Sequence, residues 1–420
     1  MANKMKALIL SGGAGTEMEP LSRNVPKTML YLHGKPVIRY VIDGLINFGI
    51  RDFVVVVGHL SDVVIRYLQG IQDERLRIKV VYQGNREGVA GAILAAKTEF
   101  DGLEKFVLAH GDIVAPLDFY EHLSNSYQRS IHQNKIDGII ITTLKGNISD
   151  YGVVTINEKG FITRVIQNPS KTDLHFGNYI VAGAAILPTK YLELLDKSNS
   201  VEKAYNDLID KDYRLQAAIW DSSIWVDLGI PWDLLDGNKL LFEKENRSYI
   251  HTTAEISPSA HLSGLVIIDK NVIIDHGAVI KGPVYIGANT YIGTNVLLRD
   301  HTSIEANCKI GFSVEIKNSV LQPDTKIGRL SFIGDSVIGR NTQIRSGVTV
   351  QNEIGGGGKQ KSQTIDLRGN SFDKLGCAIG DGADVGANSV IMPLSVIESG
   401  EEIPPGQVVK KRWKMADHNQ

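Results

Sequence analysis

The sequence predicts an α/β domain built on a mostly parallel sheet, followed by a parallel β-helix. Two observations carry that prediction. In the first half, short apolar runs alternate with helical patterns; in the second, aliphatic residues recur at a strict interval of six.

Five runs of the first half are apolar nearly throughout instead of alternating, which is the pattern of strands buried on both faces: residues 6–10 (KALIL), 53–58 (FVVVVG), 78–82 (IKVVY), 106–112 (FVLAHGD) and 137–144 (DGIIITTL). Helical patterns fall between them, at 36–48, 61–69 with Ser61 as the cap, 89–97 and 117–128. Strands joined by crossover helices give a Rossmann-like sheet with helices on both faces. A ligand site is then expected at the C-terminal ends of the strands.

The second half changes rhythm. Ile256, Leu262, Ile268, Ile274, Ile280, Ile286, Ile292, Leu298, Ile304, Ile310 and Ile316 are six apart, and most have a small or β-branched residue two positions earlier, from Val266 through Cys308 to Val314. A unit this short cannot bury its own face, so the repeat predicts stacked coils of three units each. The pattern is expected to break at Gln322, resume near Ile333, Ile338, Ile344 and Val350, and return at Ile379, Val385, Ile391 and Ile397. The polar, glycine-rich stretch 353–376 reads as an excursion from the coil. The expected division is an α/β domain at 1–235, a linker at 236–254, the β-helix at 255–410 and a polar tail at 411–420.

Composition limits the function. A formal net charge of -2 in 420 residues leaves no global footprint for DNA or RNA, and the short basic run at 410–414 reads as a tail. No apolar run approaches the roughly 18 residues of a membrane helix. The two cysteines, Cys308 and Cys377, cannot form a zinc cluster by themselves, and reduced thiols in a cytoplasmic protein are the expectation. Cys308 falls on an inward position of the repeat, as a core thiol would. Trp225 and Trp232 read as packing residues at the sheet edge.

The first strand runs into Gly12, Gly13 and Gly15, a loop whose missing side chains let backbone N–H groups approach phosphate oxygens. Glu17 and Glu19 then place negative charge where a polyphosphate would sit. Asp112 ends a buried strand at the ligand-binding edge of the sheet, where it could hold a cation or cap the next helix. Asp227 could do the same or serve as a turn residue before Gly229 and Pro231.

The segment LILSGGAGTEMEPLSRNVPKTMLYLHGKP, with the hexapeptide solenoid behind it, resembles the sugar-1-phosphate nucleotidyltransferases. The resemblance is greatest to the bifunctional uridylyltransferase and acetyltransferase type in its archaeal-like form, and it implies a left-handed β-helix. It further implies attack of a sugar phosphate on the α-phosphate of a nucleoside triphosphate, with release of pyrophosphate. Leu10, Gly12, Gly13, Gly15 and Thr16 match the nucleotide loop, and Lys27 matches the lysine that neutralises phosphoryl charge. Gln83 and Gly88 match the base and ribose contacts, and Gly152, Gln167 and Asn168 the sugar contacts. Asp112 and Asp227 match the carboxylates that hold magnesium.

Several positions depart from that pattern. Glu17 stands where the family has an arginine, and Glu19 where a second basic residue is common. Asn168 replaces the lysine on the sugar phosphate, Gln167 its neighbouring glutamate, and Val181 an asparagine. In the solenoid, Arg329 takes the position of the acetyltransferase histidine and Phe332 that of a tyrosine. A guanidinium stays protonated near neutrality, so acetyl transfer by the familiar route is not expected. Three readings follow: an active nucleotidyltransferase, a regulatory homologue that binds nucleotide without turnover, and a purely structural assembly. Arg23, Lys35 and Arg86 are the candidates for restoring positive charge. The flat solenoid faces imply a homotrimer by family analogy.

Overall fold

The computed structural model describes residues 5–145, 151–167, 169, 179–221, 225–354, 364–368 and 370–411. It divides into two compact units, Met1–Ala14 with Ile38–Trp225, and Gly15–Val37 with Val226–Gln420.

The first unit is a nine-stranded sheet with helices. In chain order its elements are β1 (Lys6–Ser11), α1 (Val37–Asn47), β2 (Asp52–Val57), α2 (Ser61–Gln69), β3 (Arg77–Tyr82), α3 (Gly88–Ala95), β4 (Lys105–His110), α4 (Leu117–Asn134) and β5 (Gly138–Leu144). There follow β6 (Val153–Ile156), β7 (Ile162–Ile166), β8 (Tyr179–Pro188), α5 (Lys190–Ser198), α6 (Val201–Ile209) and β9 (Leu215–Ile219). The strand order is β7-β6-β8-β4-β1-β2-β3, with β5 pairing both β8 and β9.

The expected runs all form strands, but the sheet is mixed. β4, β1, β2 and β3 are parallel, as are β5 and β9, whereas β8 runs antiparallel to β4, β5 and β6. The reason lies in β8, which has one apolar residue after another from Ile180 to Pro188 and enters the middle of the sheet beside β4. Ser61 is the first helical residue of α2 and not its cap; that position is Leu60, in a left-handed conformation. α4 runs past the expected end to Asn134. α1 shows why these helices dock: Ile38, Val41, Ile42 and Leu45 are fully buried on one stripe, while Arg39 and Asp43 pair at 2.7 Å one turn apart on the other side.

The second unit is a left-handed β-helix. Three parallel sheets of eight strands line its sides, and strands pair with the equivalent strand of the next coil. Ile268, Ile274, Ile280, Ile286 and their successors fill the interior, each buried aliphatic side chain contributing roughly 1.5–3 kcal/mol. Corners turn through left-handed residues, and asparagine suits them: Asn271, Asn289 and Asn307 share that conformation and stack their amides at 3.1 Å, 18 residues apart.

The expected break at Gln322 is a shortening of the coil. Partners in this region are 17 residues apart, so Leu321, Ile327, Ile333 and Ile338 continue the core with one residue fewer per turn. Across the excursion the spacing becomes 41, as from Val337 to Ala378, and the coil resumes in register. Within the excursion Ile365–Leu367 and Asn370–Phe372 form an antiparallel hairpin. The stretch expected as a linker holds most of a helix, α7 (Asp233–Lys244), and Tyr249–Ile250, the first strand of one solenoid sheet. Cys308 and Cys377 are both buried, and burial pushes the Cys377 thiol up to about 12. Among the described residues no helix is long and apolar enough to cross a membrane.

Candidate functional site

The first unit gathers several expected residues at the C-terminal end of β1. Leu10 pairs with His110 of β4 and its carbonyl accepts from Gly111 N at 2.9 Å, so Gly12 and Asp112 continue side by side from adjacent parallel strands. Gly12 is packed tightly. A Cβ there would lie 2.2 Å from Gln83 Oε1, and one on Gly58 would lie 2.4 Å from the Gly12 carbonyl. Glycine at 58 makes room for the Gly12 backbone, and glycine at 12 lets the Gln83 amide keep its place against β1.

Gln83, just beyond β3, is itself fixed. Its Nε2 donates to the carbonyls of Arg86 at 2.8 Å and Gly88 at 3.1 Å, at the start of α3. The amide orientation is thereby set, with Oε1 turned to Gly12. Gly88 adopts a left-handed conformation that L side chains rarely take. Gly13 has open space where a side chain would be. Gly12, Gln83 and Gly88 therefore form one corner, half-buried to exposed, whose wall toward a ligand is backbone and one oriented amide. A flat base with donor and acceptor edges matches that chemistry.

The sugar-side residues also converge within this unit. The Val181 N–H donates to the Gly152 carbonyl at 2.8 Å, and Gln167 Nε2 lies 3.7 Å from where a Gly152 Cβ would be. Gln167 is exposed, with its N–H on Glu202 at 2.9 Å; Asn168 lies outside the described residues. Two neighbours were not foreseen. Trp225 is buried with Nε1 on the Ala182 carbonyl, Tyr151 packs against its ring, and Lys145 Nζ sits 5.4 Å from the ring centroid. A lysine ending an apolar strand was the available signal.

In the second unit, Gly15 starts the turn Thr16–Met18 in a left-handed conformation and packs on the aliphatic stem of Lys27. Glu17 and Glu19 are exposed. Lys27 Nζ donates to the Leu228 carbonyl at 3.2 Å, which brings Lys27 to the Asp227 segment. Arg23 faces Glu398 at 3.7 Å and Lys35 is exposed; in the first unit Arg86 is exposed on the loop before α3.

Asp227 already carries a cation. Arg368, at the turn of the excursion hairpin, donates from Nη2 to Asp227 Oδ2 at 2.9 Å and from Nη1 to the Asp227 carbonyl at 3.1 Å and Asp233 Oδ2 at 2.7 Å. Asp233 Oδ2 also accepts from Gly229 N and Ile230 N. Burial pushes Asp233 up to about 6, against the pull of Arg368 and those two N–H groups. Gly229 makes room for this arrangement, because a Cβ would lie 2.0 Å from Arg368 Nη1. Sequence reasoning missed Arg368, since nothing in a polar excursion marks one arginine for a carboxylate 141 residues earlier.

This arrangement does not fit a divalent ion as it stands. Among the described residues no group of three or more His, Cys, Asp and Glu could hold a metal, and the Asp227 carboxylate is neutralised by a guanidinium. In the solenoid Arg329 is exposed, His276 bonds Ser257 Oγ at 2.7 Å on the surface, and the His301 carbonyl accepts from Asn238.

A family model described as nucleotidyl transferase matches residues 6–244, more than half of the chain. The chain belongs to the sugar-1-phosphate nucleotidyltransferase family. A second model, the GMPPB C-terminal domain, matches residues 280–365. Family relatives span nearly the whole length. A bifunctional sugar-1-phosphate nucleotidylyltransferase/acetyltransferase of Sulfurisphaera tokodaii is 30% identical over 418 residues, covering 97% of this chain and 98% of its own. A bifunctional protein GlmU of Methanocaldococcus jannaschii is 31% identical over 395 residues, covering 93% and 91%. The fold, and the fold alone, is shared with a UDP-glucose pyrophosphorylase from Acinetobacter baumanii at a TM-score of 0.51 and 20% identity, covering 58% of this chain and 95% of that one.

Proposed function

We propose that the chain transfers a nucleotidyl group from a nucleoside triphosphate to a sugar 1-phosphate. The observation that carries this reading is the corner of Gly12, Gln83 and Gly88, a side-chain-free backbone wall beside a fixed amide at the C-terminal end of β1. Leu10, Gly13, Gly15 and Thr16 would complete the nucleotide loop, with Gln83 on the base. Gly152 and Gln167 would face the sugar, with Val181 at the edge.

An oxygen of the sugar phosphate forms a bond to the α-phosphorus, the bond from that phosphorus to the bridging oxygen breaks, and pyrophosphate leaves with the electron pair. No proton needs a protein base, because the nucleophile is already an anion; positioning and charge neutralisation supply the catalysis. Lys27 is the cation assigned to the phosphoryl charge. The resemblance implies magnesium at Asp112 and Asp227, whereas with Arg368 docked the Asp227 carboxylate is paired with a guanidinium instead. The solenoid would serve assembly as a homotrimer, since Arg329 cannot act as a general base. Sedimentation or light scattering giving a monomer would remove the trimer.

Pyrophosphate release, measured for each common nucleoside triphosphate against a panel of sugar 1-phosphates, tests the reading. Turnover with one pair, lost in Asp112→Asn, is the expected result. A second reading draws on Glu17 and on the Arg368 contact with Asp227: a homologue that binds nucleotide and regulates a partner. It is supported by nucleotide binding without turnover on any pair.

A further inference from the structure

We infer that Arg368 is a positioning residue that occupies Asp227 in place of a divalent cation, so that metal binding at this carboxylate competes with docking of the hairpin arginine. The inference rests on the transfer reading only for Asp227's place in the site. Its physical basis is independent of that reading. One guanidinium reaches a carboxylate oxygen of Asp227, the carbonyl of the same residue and Asp233 Oδ2, with side chains only 13%, 22% and 8% exposed. Charge-assisted bonds of this kind, shielded from water, are the strong ones.

The surroundings are built to receive it. Asp233 is held by two backbone N–H groups at the start of α7, and Gly229 leaves the volume that the guanidinium fills. Lys27 Nζ lies on the adjoining Leu228 carbonyl, so two cations flank residues 227–229 while the loop beyond Gly15 carries Glu17 instead of a basic residue. A cation with ligand distances of about 2.0–2.1 Å to a carboxylate oxygen cannot share Asp227 Oδ2 with an N–H donor in the same direction.

The test is direct binding of Mn2+ to the full chain, read by electron paramagnetic resonance without substrates. Arg368→Gln should tighten Mn2+ binding on the order of tenfold, and the gain should vanish when Asp227→Asn is added. Unchanged or weaker binding in Arg368→Gln, or a gain that survives Asp227→Asn, overturns the inference. Hydrogen exchange on the unaltered protein covers the case of a misfolded variant. Amides of 365–367 and 370–372 should exchange faster at Mn2+ concentrations that fill the site, and unchanged exchange overturns the inference. Neither measurement involves turnover, so a failed pyrophosphate assay with a competing arginine, and a working assay without one, are distinguishable results.

Discussion

The glycine corner of the first unit and the Asp227 segment of the second solve opposite problems. Around Gly12, the chain removes side chains so that backbone and one amide can meet, and no charged side chain takes part in the contacts. Around Asp227, two carboxylates, a guanidinium and an ammonium converge, and glycine makes space for charge instead of for backbone. The first is shaped by packing and is complete without a counter-ion. The second is balanced only because a residue from far along the chain reaches it, so it should be the more sensitive to substitution, pH and ions.

The largest expected effect follows from that balance. Asp233→Ala removes a buried partner from Arg368 and leaves two N–H groups unmet, at a cost of about 3–5 kcal/mol; urea unfolding of the full chain measures it. A loss below 1 kcal/mol would mean that water replaces the carboxylate and that the segment is not charge-balanced internally.

Next is the corner itself. Gly12→Ala places a methyl 2.2 Å from Gln83 Oε1, and the amide must swing away from the carbonyls of Arg86 and Gly88. Stability should fall by only about 1 kcal/mol, because the displaced atom ends a side chain. Nucleotide affinity, measured by calorimetry, should fall at least tenfold, about 1.4 kcal/mol. Equal affinity would detach Gln83 from nucleotide binding. A smaller change is expected for Gln83→Leu, which keeps the volume and loses the hydrogen-bonding edge: discrimination among bases should narrow by about 1 kcal/mol, read as the ratio of affinities for two nucleotides.

The two regions also differ in how far the sequence revealed them. Gly12, Gly13 and Asp112 stood out because strand endings and glycines mark a ligand edge locally, Gln83 stood out only through the family resemblance, and the solenoid was legible because a period of six admits few folds. β8 was not foreseen as the strand that reverses direction beside β4, since an apolar run carries no record of its partner. Gln322 looked like a break because a coil of 17 residues shifts the period by one; its amide in fact bonds both Tyr31 N and Tyr31 O, at 2.8 and 2.9 Å. Arg368 was invisible for the same reason as the β8 pairing. A contact 141 residues apart is set by the fold, and a charged residue in a polar stretch reads as solvated until the fold supplies its partner.

The last effect is read along the pH axis and concerns two titratable groups of the second unit, Glu305, which is buried, and His33, which is half-buried. Glu305 accepts from Gly34 N at 2.8 Å and Ser303 Oγ at 2.9 Å, and burial pushes it from 4.5 up to about 7. His33 meets Asn238 Oδ1 at 2.8 Å, and burial pushes it from 6.5 down to about 4. Between 4.5 and 7 the folded chain keeps a proton on Glu305 that the unfolded chain releases, so this contribution is full below 4.5 and is lost as pH rises through 7. His33 works the other way: its contribution is full above 6.5 and is lost as pH falls through 4. Comparing Glu305→Gln with the unaltered chain cancels His33 and every other group. The stability of the variant relative to the unaltered chain should therefore rise with pH across this window, at a slope approaching about 1.4 kcal/mol per pH unit for one proton. Urea unfolding at intervals across the window measures that difference. A flat difference would mean that Glu305 keeps its charge when buried, and that its two hydrogen bonds, not a retained proton, balance it.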